Sequence, residues 1–227
     1  MALIKYGQLI AEARGALAGT VFSRNTYGAY MRSKVSPVNP NTTAQQGVRQ
    51  FLTTVAQSWA GLSDNERLGW NTAAVNFSRT NIFGDSVPLT GFGLYTRLNR
   101  NLQEIGEALI TAAPFIETIT GIESLTLTAT AATLSLAFAP DPVPAGHTWI
   151  LYATPTMNAG KKFVKSEFRK IATIPAAQVS PFDLFAAWQT VFGGSPISGG
   201  RIFVKVVPVL ISNGQRGTEL QASDIVA

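Results

Sequence analysis

"SLTLTATAATLSLAFAP", residues 124–140, is where the chain changes period. Before it, apolar residues return every three or four positions; within it they alternate with small polar ones. Alternation puts every second side chain on one face of a strand. The stretch therefore reads as two strands, with Leu125 and Leu127, then Leu134, Leu136 and Phe138, facing inward. Four more segments continue the pattern: "HTWILYATP" (147–155), "FRKIATI" (168–174), "GRIFVKVVPVLI" (200–211) and "TELQASDIV" (218–226). The turns between them are rich in Pro, Gly and Asn, as in "APDPVPAG" and "SNGQRG". One stretch breaks the period. "SPFDLFAAWQTVFG" (180–193) spaces Phe182, Phe185, Trp188 and Phe192 as a helix does, with Pro181 at the expected helix start. About six strands and one short inserted helix predict an antiparallel β-sandwich over residues 122–227.

Upstream, the period is helical. Thr42 and Gln45 fit a capping box ahead of a stripe of Val48, Phe51, Leu52, Val55, Trp59 and Leu62. Ser63 and Glu66 fit a second box, followed by Leu68, Trp70, Ala73, Ala74 and Phe77. A third helix is expected from Thr90 to Ala108, burying Leu94, Tyr95, Leu98, Leu102 and Ile105. Trp59 and Trp70 are expected to pack together across the first helix corner. These features predict a small three-helix region at 41–121. The fold class is thus α+β: an extended β-arm over 1–40, the helical region, then the sandwich.

The arm reads as two strands, Thr20–Asn25 and Ala29–Val35, around the turn-forming "NTYG". A hairpin alone in water is marginal, so this one must lean on another surface. The candidate interaction residues are Phe22, Arg24, Tyr27, Tyr30, Met31, Arg32 and Lys34. On the second strand, Ala29, Met31, Ser33 and Val35 share one face and Tyr30, Arg32 and Lys34 the other.

Charge supports an interaction role. Only 14% of the chain is charged, against the roughly 25% usual for soluble proteins. Residues 1–60 hold six Lys or Arg and one acid, Glu12, whereas residues 61–123 hold four bases and seven acids. Basic groups interleaved with aromatic ones also suit nucleic acid, which makes the arm's alternative partner.

Catalytic chemistry is not legible. The single histidine, His147, stands at a strand edge without an Asp, Glu or Ser in a catalytic frame. There is no cysteine, "NAGKKF" lacks the flanks of a P-loop, and "GFG" lacks a third glycine. The carboxylate pairs Asp64/Glu66 and Glu104/Glu107 are expected on helix surfaces. No catalytic, cofactor or metal site is expected, and the chain is read as a non-enzyme. It has no run of the roughly 20 apolar residues that cross a membrane and no export signal, so no membrane partner is expected.

Two resemblances add to this reading. "GTVFSRNTYGAYMRSKVSPVNPNTTAQQGVRQF" with the following "SWAGLSDNERLGWNTAA", about the first 75 residues, resembles a group of small proteins encoded among the virion genes of tailed bacteriophages and prophages. "LTLTATAATLSLAF", Trp149 and the closing "FVKVVPVLISNGQRGTELQASDIV" resemble a fibronectin type III or related immunoglobulin-like module. The first resemblance implies a virion structural protein, assembled in a bacterial cytoplasm, whose partners are capsid, connector or tail subunits and further copies of itself. The expected role is a capsid-associated auxiliary or cement protein. A neck or tail component, a nucleic-acid-associated protein and a receptor- or glycan-binding adhesion module are the alternatives.

Overall fold

The computed structural model describes residues 2–3, 6–8, 10, 12–25, 28–80 and 86–227, with backbone alone at Ala2, Arg79 and Thr80. The chain divides into two compact units, Met1–Gly47 and Val48–Ala227.

The first unit is a small antiparallel sheet, β1 (Ala2–Leu3), β2 (Gly15–Leu17), β3 (Thr20–Asn25) and β4 (Gly28–Ser33), in the order β1-β4-β3-β2. The expected hairpin is its centre. Two short flanking strands were not legible, because two or three residues are too few to show a period. None of the described residues in Met1–Gly47 is buried. The sheet is hydrogen-bonded, but no core is formed among its described residues.

Helix α1 (Thr43–Gly61) crosses the boundary between the units. The Thr42 amide donates to Gln45 Oε1 and the Gln45 amide to Thr42 Oγ1, closing the first capping box. Next comes α2 (Asp64–Ala74), capped by Ser63 and Glu66 in a full box. A short ribbon of β5 (Ser78–Thr80) and β6 (Ser86–Pro88) leads to α3 (Gly91–Ile105). Residues 81–85, between these two strands, lie outside the described residues. The helical core gathers Phe51, Val55, Leu62, Trp70, Ala74, Leu94, Tyr95 and Leu98. Trp59 and Trp70 each meet the ring of Tyr95, at 5.3 and 5.0 Å. They meet through α3, where the sequence had suggested direct contact. Val48, Leu52 and Leu68, expected in the apolar stripes, are exposed.

The sandwich follows: β7 (Ser124–Ala129), β8 (Leu134–Ala139), β9 (His147–Ala153), β10 (Arg169–Ile174), β11 (Phe182–Asp183), α4 (Phe185–Phe192), β12 (Arg201–Leu210) and β13 (Leu220–Ile225). One sheet runs β10-β9-β12-β13 and the other β11-β8-β7, all neighbours antiparallel. Leu127, Leu134, Leu136 and Phe138 meet Trp149, Leu151, Ile202, Val204 and Val206 in one core. Asp224 Oδ2 accepts the Ala129 amide, and the Ala227 amide donates to the Ala129 carbonyl, tying the β13 side to the β7 side. The helix expected from Pro181 begins later. Phe182 pairs with Leu136 as a strand residue, and α4 starts at Phe185.

The four-stranded sheet is buried on both faces along its central strand β12. Ile202, Val204 and Val206 face the sandwich core, while Phe203, Val207 and Val209, at alternate positions, are buried too. "RIFVKVVPVL" is for that reason nearly unbroken in apolar residues, the pattern of a strand covered on two sides. Helix α3 and the segment after it reach this sheet's outer side. Asn101 Nδ2 donates to the Gly214 carbonyl, and the Tyr152 hydroxyl donates to Glu104 Oε1.

Candidate interaction surface

In the first unit, strand pairing decides which side chains share a face. Phe22 lies opposite Met31, Arg24 opposite Ala29, and Leu17 opposite Thr20. Ser23 lies opposite Tyr30, and Val21 opposite Arg32. Directly paired residues point the same way. One face therefore carries Leu17, Phe22, Met31 and Arg24; the other carries Leu3, Val21, Tyr30 and Arg32. Tyr27 lies outside the described residues.

Tyr30 and Arg32 share a face as expected, but Arg24 is removed from the mixed basic–aromatic surface read along the chain, because it stands on the opposite face. Glu12 also answers the cations nearby. It pairs with Arg14 at 2.7 Å and with Arg24 at 3.9 Å, beside a polar hollow lined by Arg14, Phe22, Ser23 and Asn25. Arg32 and Lys34 make no side-chain hydrogen bond or ion pair among the described residues, and both are exposed.

The second unit has an exposed apolar groove of about 550 Å³ between α2 and the segment Ala113–Ile116. Its walls are Leu68, Gly69, Thr72, Ala73, Pro114 and Phe115. Leu68 is 62% exposed and Phe115 88%. A glycine at 69 lets α2 approach the segment closely: a Cβ there would stand 3.7 Å from that of Ala113. The groove keeps its shape because the segment is pinned to the helices. The Trp70 indole donates to the Thr111 carbonyl at 2.6 Å, and Asn99 bonds both backbone groups of Ile110. At its far end Gln215 Nε2 donates to the Phe115 carbonyl at 2.7 Å. Asp64 and Glu66 stand on the first turn of α2, one residue either side of the rim residue Asn65, and Asp64 is fully exposed.

The remaining polar clusters are structural joints. His147 is buried; its Nε2 accepts the Thr120 amide, which leaves the proton on Nδ1, facing the Ala145 carbonyl at 3.0 Å. Glu104 does not sit on the helix surface, as its spacing had suggested. Its carboxylate takes Tyr152 and Arg216, and its carbonyl takes Lys170 Nζ. Burial first, then the bond to Glu104, push the Tyr152 phenol up to about 12, and burial draws the Lys170 ammonium down. A second cleft, about 380 Å³ beside α3, is lined by Asn101, Glu117, Gln215 and Arg216, whose polar atoms are already engaged. Asn99 and Asn101 were missed as joint residues. Two amides in the middle of "LNRNL", on an otherwise apolar helix, were the available signal. No cluster of His, Asp or Glu suited to a metal occurs among the described residues, nor does a helix long and apolar enough to cross a membrane.

No family model matches the chain, and no curated protein matches it. Among solved structures, a Fn3-like protein from Clostridium thermocellum aligns with 46% of this chain and 86% of its own. The identity is 17% and the TM-score 0.26, too slight a likeness to carry fold or function.

Proposed function

We propose that this protein is a non-enzymatic structural component of a tailed-bacteriophage particle, a capsid-associated auxiliary protein that holds neighbouring subunits through its first unit. The observation that carries the reading is this sheet, which forms no core among its described residues. Four strands need an apolar face packed against something to be stable, and none of the described residues of Met1–Gly47 is buried. Docking on another polypeptide supplies the missing cover and pairs the open strand edges. The resemblance of the first 75 residues to virion proteins gives that polypeptide its context. The strand order β10-β9-β12-β13 over β11-β8-β7 supports an immunoglobulin- or fibronectin III-like end module. Such a module suits a particle surface, where rigid sandwiches serve as spacers and contacts.

Nucleic acid is the weaker partner for this arm. A stacking-plus-phosphate surface gathers several rings and cations on one side; here Tyr30 and Arg32 share one face, while Phe22 and Arg24, which is paired with Glu12, are on the other.

The test is incorporation. The full chain and a variant lacking residues 1–40 are expressed during particle assembly, and purified particles are analysed by mass spectrometry. The full chain is expected in the particles and the folded truncation only in the unassembled fraction. Normal incorporation of the truncation, or absence of the full chain, rejects the reading.

A further inference from the structure

The sandwich carries a basic loop that the preceding reading leaves unused. Residues 158–170, "NAGKKFVKSEFRK", hold five Lys or Arg against one acid, Glu167, a net charge of +4 where the whole chain has +5. We propose that this loop binds single-stranded nucleic acid, with the Phe163 ring stacked on a base and Lys162, Lys165 and Arg201 on the phosphates. The proposal goes beyond the role of the arm and does not depend on it.

Strand alternation places the loop. On β12, Ile202, Val204 and Val206 face the sandwich core, so Arg201, Phe203 and Lys205 lie on the outer face. The loop leaves the sheet at Met157, whose backbone amide and carbonyl both bond to Arg201, at 2.8 and 2.7 Å. It returns at Phe168, whose ring centre lies 5.2 Å from Lys205 Nζ. It therefore runs along the outer face from Arg201 to Lys205, with Val164 buried at its middle and Phe203 buried on the sheet. A turn closed by Asn158 and the Lys161–Glu167 ion pair at 2.8 Å brace it. With Val164 turned in, its neighbours stand out: Phe163 is 71% exposed, and Lys162 and Lys165 are exposed on either side of it. Four residues span at most about 13 Å, so these three side chains form one patch. Neither lysine makes a side-chain hydrogen bond or ion pair among the described residues, and the Arg201 Nε is buried without a hydrogen-bond partner. A buried donor left unpaired is unfavourable until an acceptor meets it. Phosphates answer the three cations, and an unstacked base answers the ring. A duplex keeps its bases stacked and offers Phe163 no base face. A lipid surface calls for a broad apolar face, and Phe163 is the single large apolar side chain exposed among the described residues of the loop.

The test follows the full-length protein binding fluorescein-labelled oligodeoxythymidine and oligouridine by anisotropy across a salt series. Binding of at least one strand is expected, with log K falling against log salt at a slope of about −2, since each single-strand phosphate contact contributes roughly −0.7. Phe163→Ala should weaken binding by about 5- to 150-fold, the range of a lost base stack, with the slope unchanged; Phe163→Trp should restore it. Lys162→Ser combined with Lys165→Ser should flatten the slope by about 1.4. These three positions are exposed, and circular dichroism checks each fold. An arm variant carrying Arg24→Ser, Arg32→Ser and Lys34→Ser should bind like wild type. A wild type that binds neither strand overturns the proposal, and pelleting with vesicles of equal parts phosphatidylserine and phosphatidylcholine would then assign the loop to a lipid surface. Phe163→Ala binding like wild type, duplex DNA binding as tightly as the single strand, or loss of binding in the arm variant but not in the loop variants also overturns it. None of these results touches incorporation into particles, so this proposal and the functional reading stand or fall separately.

Discussion

Tyr152 shows how much one side chain does at the joint between helices and sandwich. Its phenol donates to Glu104 at 2.5 Å, and Lys205 lies 5.2 Å from its ring. The value near 12 lies above the ordinary 10.0, so the folded state holds the phenolic proton more tightly than the unfolded one. The stabilisation is therefore complete below pH 10 and is lost as pH rises through about 12. A shift of that size is worth about 2–3 kcal/mol at full burial, and partial exposure of the ring cuts it to on the order of 1 kcal/mol. Tyr152→Phe should accordingly be less stable than wild type at neutral pH. That gap should narrow by about 1 kcal/mol across the alkaline window, measured by urea unfolding at stepped pH. A gap that stays constant would show that the phenolic proton plays no part in the joint.

Among the elements, α3 has the most to do. Thr90 caps its start, Gly106 in the left-handed region ends it, and buried Asn99 and Asn101 bond in opposite directions. It meets the backbone of the loop after β12 at Gly214, whose φ is +71°. A Cβ at that position would stand 2.4 Å from the Leu98 carbonyl oxygen and 3.0 Å from Leu102 Cγ. Gly214→Ala thus combines a left-handed backbone with overpacking, and should cost roughly 2–4 kcal/mol. Thermal unfolding followed by calorimetry checks this. A loss below about 0.5 kcal/mol, typical of surface substitutions, would mean that α3 and the loop after β12 are not in close contact.

Across the whole molecule, stability is unevenly distributed. The sandwich and helical cores surround Trp149 and Trp70, both wholly buried, whereas Met1–Gly47 has hydrogen-bonded strands without a buried side chain among its described residues. Hydrogen exchange follows local opening, and segments poor in buried contacts open at little cost. At concentrations where the chain is a single copy, amides of β3 and β4 should exchange within seconds to minutes, while those of α3 and β12 stay protected for hours or longer. Mass-spectrometric exchange would separate the two units directly. Strong protection of β3 and β4 in the monomer would remove the need for a partner.

What the sequence determined by itself was whatever depends on near neighbours. The Ser63–Glu66 box, the alternation of Leu134, Leu136 and Phe138, and the burial of Leu94, Tyr95 and Leu98 all follow from spacing, since a strand or helix face is set by residues two to four apart. Tertiary structure decided the rest. Glu104 became a joint rather than a surface acid only because Tyr152 and Arg216 lie against it, 48 and 112 positions away. Arg24 parted from Tyr30 and Arg32 only when strand pairing set the faces. The groove at Phe115 exists because Trp70, Asn99 and Gln215 hold one stretch of chain from three directions. A period reports which side of an element is apolar; which partner covers that side, or leaves it open, is settled by contacts between residues far apart in the chain.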